Sequence, residues 1–97
     1  MVEADESLLG RVVYSKAGRD SNRYFIICDV IDSSFVRVVD GDLRRVENPK
    51  KKNIKHLRLQ PQKVEALAEK FRRGEPVTNA EVRKALESLN LAKNPGK

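Results

Sequence analysis

Tyr24-Phe25-Ile26-Ile27-Cys28-Asp29-Val30-Ile31 is the stretch whose reading decides the fold. It is rich in β-branched and aromatic side chains, as a buried strand should be. Asp32-Ser33-Ser34 follows and reads as a tight turn, so Phe35-Val36-Arg37-Val38-Val39 pairs back as the second arm of a hairpin. On the N-terminal side, Leu8, Leu9, Val12, Val13 and Tyr14 form a short apolar segment around Gly10 and Arg11. On the C-terminal side, Asp40-Gly41-Asp42 marks another turn. Leu43–Val46 is a short strand candidate, and Ile54–Leu59 alternates roughly at period two. Short strands crowded into so little chain predict a small closed barrel, because closure removes exposed edges.

Near residue 60 the hydrophobic period becomes helical. Pro61 is placed to open a helix. Val64, Leu67, Ala68 and Phe71 share one helical face, and Arg72-Arg73-Gly74 supplies a basic last turn and a stop. Thr78-Asn79-Ala80-Glu81 has capping-box spacing, and Val82, Ala85, Leu86 and Leu89 again share a face. The expected architecture is mainly β with an α appendage. It divides into a flexible N-terminus (1–7), a five-stranded barrel (8–60), a helical hairpin (61–90) and a flexible tail (91–97). Helices this short need a partner surface, so their apolar faces pack on each other or on the barrel.

The chain has 97 residues, 39% hydrophobic and 35% charged, without tryptophan. A chain of this size buries only about two-thirds of its unfolded surface, which excludes a large cleft between two domains. The longest apolar runs fall far short of the roughly 18 residues a membrane span needs. Met1-Val2-Glu3-Ala4-Asp5-Glu6-Ser7 is acidic and does not resemble a signal peptide, so a cytoplasmic location is expected. A single cysteine, Cys28, makes neither an internal disulfide nor a zinc site.

Charge is concentrated. Lys and Arg number 20 against 14 Asp and Glu, a net of +6. Residues 43–58 hold seven basic residues and one acid, which accounts for the whole excess. A basic segment of this kind points to an anionic partner, most often nucleic acid.

Groups for catalysis are scarce. His56 is the only histidine and lies in a basic run, where a phosphate contact or simple solvation is the ordinary role. Cys28 sits in the most apolar strand as core filler. Asp29 and Asp32 flank Val30-Ile31, but Asp32 opens a turn; Asp40 and Asp42 lack the further oxygen ligands of a calcium loop. No Walker-type or dinucleotide fingerprint occurs. The expectation is a binding protein with no enzymatic activity, cofactor or metal. Of the five aromatics, Tyr14, Tyr24, Phe25, Phe35 and Phe71, most are assigned to the core, which favours recognition of folded RNA over single strands.

Lys16-Ala17-Gly18-Arg19-Asp20-Ser21-Asn22-Arg23 joins the first two strands. Gly18 and Asn22 tolerate positive φ, and Lys16, Arg19 and Arg23 carry charge suited to phosphates. Gly10 through Asp20, followed by Phe25–Ile31, resembles a KOW motif: strand, loop with a key glycine, second hydrophobic strand. Val39–Arg45 and Lys52-Asn53-Ile54-Lys55-His56-Leu57 extend the likeness to the archaeal and eukaryotic type of KOW-bearing proteins numbered fourteen in the large ribosomal subunit, and to small bacterial KOW-domain RNA-binding proteins. It covers about residues 8–59. The helical hairpin has no counterpart in those ribosomal proteins.

The resemblance implies an SH3-like barrel that binds structured ribosomal RNA of the large subunit, as a ribosomal or ribosome-associated protein in translation. Gly18 matches the glycine of the motif's loop, and Asn22 stands where relatives often carry a second glycine. From charge and residue type, Lys50, Lys51, Lys52 and Lys55 are expected to position phosphates, with Lys50–Lys52 on an extended loop after Pro49. Arg19, Arg23, Arg44 and Arg45 suit shape or base readout, and His56 suits stacking or a hydrogen bond. Lys16 and Arg58 complete the candidate interface. RNA is the expected partner, with ribosomal proteins as further neighbours, no membrane, and a monomer off the ribosome. The competing reading is a KOW-type adaptor that contacts protein partners such as the transcription elongation machinery.

Overall fold

A computed structural model describes residues 4–16 and 23–89. The strands are β1 (Arg11–Ser15), β2 (Tyr24–Val30), β3 (Phe35–Val39), β4 (Lys50–Asn53) and β5 (Leu57–Lys63). Helices α1 (Glu65–Arg73) and α2 (Asn79–Ser88) follow. The strands form one antiparallel sheet in the order β4-β3-β2-β1-β5, so the last strand returns to pair with the first. Only the 3₁₀ turn Ile54–His56 separates the two outer strands in sequence. Five flat strands would hold their outer members about 19 Å apart. The four Cα steps from Asn53 to Leu57 reach about 14 Å at most, so the sheet must curl.

Alternation sorts the side chains onto two faces. Val13, Phe25, Ile27, Val36, Val38 and Leu57 build the inner cluster, sealed by Ala4, Leu8, Leu9 and Ile54. Val12, Ile26 and Val39 point the other way and meet Leu67 of α1 and Val82 and Leu86 of α2. The helices therefore cover the outer face of the sheet. Gly10, with φ +81°, permits that approach: a Cβ there would lie 2.7 Å from the Cβ of Ala68 and 2.8 Å from the carbonyl oxygen of Val64.

The turns at Asp32–Ser34 and at Gly41 lie where the sequence places them. Asp32 Oδ1 accepts the N–H groups of Ser34 and Phe35, which fixes the β2–β3 hairpin. The capping box is complete, with Thr78 and Glu81 each accepting the other's backbone N–H. Gly74 ends α1 in the left-handed conformation. In the stretch expected to be a flexible N-terminus, Ala4 is buried and Glu6–Leu8 forms a 3₁₀ turn capped by Asp5. The tail 91–97 lies outside the described residues.

Three expectations change. Leu43–Val46 is not a strand, because its backbone donors are taken elsewhere: Asp40 Oδ1 accepts Arg44 N–H and Asn79 Oδ1 accepts Val46 N–H. The fourth strand is instead Lys50–Asn53, the lysine run read as an extended loop. Its β propensity is poor, but register against Phe35–Val38 overrides that, and lysine suits an edge strand. Pro61 does not open a helix. It lies in β5, at an irregularity in the β1–β5 ladder, where a missing N–H is tolerated.

Candidate nucleic-acid interface

The end of β1 and the start of β2 form the frame of the site. Ser15 N–H donates to the Arg23 carbonyl at 2.9 Å, and Lys16 N–H donates to the His56 carbonyl at 3.0 Å. The second bond brings Lys16, just past β1, beside the 3₁₀ turn that carries Lys55 and His56. Arg58 stands directly opposite Tyr14 across β5 and β1. Lys16, Lys55, His56 and Arg58 are all exposed.

Arg23 ties the β3–β4 connection to the same end. Its Nη2 lies 2.8 Å from Asp40 Oδ2 and 3.8 Å from Asp42 Oδ2. Asp40 is only 5% exposed, so this carboxylate is desolvated and needs its partner. Its other oxygen accepts the N–H groups of Asp42 and Arg44 and so shapes the loop that carries Arg44 and Arg45. Arg23 is thereby committed to holding the loop. Arg45 is exposed, with Nε 3.6 Å from Glu47.

The N-terminus of α2 fastens this loop from the other side. Asn79, buried, donates Nδ2 to both Glu47 carboxylate oxygens at 2.9 and 3.2 Å, and Arg83 Nη1 donates to the Gly41 carbonyl at 2.6 Å. The Asn79 amide is the main cause that holds the Glu47 carboxyl below its ordinary range. A Cβ at Gly41, φ +78°, would lie 2.5 Å from the Asn79 carbonyl oxygen, so the close approach requires glycine. Sequence reading misses Asn79 and Arg83 in this role, because both partners are more than thirty residues away.

The lysine run is not a uniform comb. Lys52 faces the interior beside Val36 and is 8% exposed. Lys51 places its ammonium 4.6 Å from the ring centroid of Phe35. Lys50 is half-buried opposite Val38. Gly18 and Arg19 lie outside the described residues.

The other chemically suggestive groups have structural partners. Asp29 pairs with Arg37 across the hairpin at 2.6 Å. Burial pushes the Cys28 thiol up to about 12, so it is protonated at neutral pH. It lines an open, partly polar pocket of about 250 Å³ with Val46, Phe71, Glu75 and Val77. Among the described residues no group of three or more His, Cys, Asp or Glu could hold a metal, and no helix is long and apolar enough to cross a membrane.

Three of the five aromatics, Phe25, Tyr24 and Phe71, lie in the core clusters or pack against them. Phe25 is wholly buried, but Tyr14, Tyr24, Phe35 and Phe71 are half-buried. Tyr14 and Tyr24 oppose each other on β1 and β2 with ring centroids 5.0 Å apart. Strand alternation places Tyr14 with Val12 and Tyr24 with Ile26 on the helix-covered face of the sheet. No known family model matches the chain.

Proposed function

We propose that the chain is an RNA-binding protein that docks on structured ribosomal RNA of the large subunit, as a ribosomal or ribosome-associated protein in the cytoplasm. One observation carries the reading. Lys16 meets the basic turn Lys55–His56 through a backbone bond, and the Arg23–Asp40 ion pair ties the start of the β3–β4 connection to the same end of the sheet. A cluster of exposed cations on a rigid frame suits phosphates held at fixed spacing, which is what folded RNA presents. The curled sheet, with its short turn between the outer strands, supports an SH3-like KOW barrel. Binding, not catalysis, is the function this arrangement serves.

The test is the affinity of the whole chain for large-subunit ribosomal RNA across a salt series. Affinity should fall linearly on a log–log plot. The double substitution Lys16→Gln and Lys55→Gln should weaken binding and make the slope shallower by about two contacts' worth. Lys52 is a poor choice for this purpose, because a change there disturbs the interior. Binding indifferent to salt and to both substitutions would overturn the reading, and would favour a protein-binding adaptor.

A further inference from the structure

Beyond phosphate contact, we propose that the cross-strand row Arg58–Tyr14–Tyr24 is a stacking site for an unpaired nucleobase of the bound RNA. The inference rests on the RNA-binding reading and adds a binding subsite to it. The register aligns the three residues on adjacent strands: Arg58 on β5 opposes Tyr14 on β1, which opposes Tyr24 on β2. The next row along, Val12 and Ile26 with Val39 beyond, is the one sealed by the helices. The tyrosine row is therefore the first past the helix-covered core. Tyr24 rests on that core, and Tyr14 packs against Tyr24.

The chemistry suits a nucleobase better than an apolar protein side chain. A half-buried ring anchored from below offers area at little entropic cost, and every base has a π face to lay against it. The flanking charge is cationic: Arg58 is exposed at one side, and Lys16 lies two residues past Tyr14, so both can take the phosphates that flank a splayed-out base. The rings, tilted by 59° with centroids 5.0 Å apart, pack on one another, so the base is not held between them.

These are the only two tyrosines of the chain, and tryptophan is absent, which makes the site spectroscopically unique. Two readouts on the full chain test it. In the first, tyrosine ring resonances are followed by NMR as a short oligouridylate is added. Both tyrosines should shift, and Arg58→Gln should reduce the effect. In the second, binding of a hairpin RNA with a single-base bulge is compared with that of its perfectly paired counterpart. The bulged RNA should bind more tightly, by roughly five- to a hundredfold if one base stacks. Tyr14→Leu should abolish that preference while keeping the salt slope, and Tyr14→Phe should retain it. Equal binding of the two RNAs with unmoved tyrosine resonances would overturn the stacking site and leave the RNA reading standing. No binding of any RNA at low salt would overturn both.

Discussion

Asp40 shows how much a single side chain can organise. One of its oxygens accepts two backbone N–H groups and the other holds Arg23, all in a position almost closed to water. The two roles separate by mutation. Asp40→Asn keeps an oxygen for the loop donors and loses the charge. Asp40→Ala loses both, leaving the N–H groups of Asp42 and Arg44 without that acceptor. A lost hydrogen bond costs about 0.5–1.5 kcal/mol, so the alanine variant should be less stable than the asparagine variant in urea denaturation. Equal losses would mean that the ion pair alone matters. The aspartate's place in a turn is legible in the sequence. Its grip on Arg23 is not, because that bond links two loops seventeen residues apart.

At the scale of elements, legibility followed the source of stability. β2, β3 and α2 announce themselves, since their apolar periodicity or caps are local. The capping box on α2 should be worth about 1 kcal/mol, so Thr78→Ala should lower the melting temperature by about 4–8 °C. No shift would show that α2 is held entirely by its packing and by Asn79. The lysine strand β4 is the opposite case. Nothing in Lys50-Lys51-Lys52 favours a strand, and only pairing with β3 makes one. Leu43–Val46 fails as a strand for the converse reason, with donors diverted to Asp40 and Asn79. The convergence of Lys16 with His56 and of Arg23 with the β3–β4 loop belongs to the same non-local class. The charged segment is readable from sequence, but the meeting of its parts is a property of the curled sheet.

For the whole molecule, the helices are part of the fold that holds the basic end together. They seal the outer face and their second member clamps the loop of Arg44 and Arg45 through Asn79 and Arg83. Acid should loosen this join. The Lys70 ammonium, and then the Thr78 N–H, hold the Glu81 carboxyl below its ordinary value, and the Asn79 amide does the same for Glu47. Carboxyls depressed in the folded state add stability above their unfolded values and lose it as pH falls through the folded ones. The melting temperature should therefore drop on acidification below about pH 4.5, less steeply for Glu47→Gln and Glu81→Gln than for the native chain. Identical slopes would sever these contacts from stability. The central claim, docking on the large ribosomal subunit, is tested most directly by sedimenting a cell lysate through sucrose at increasing salt. The protein is expected to co-migrate with the large subunit at low salt and to be released as salt rises, in step with its phosphate contacts. Protein left at the top of the gradient at low salt would contradict it.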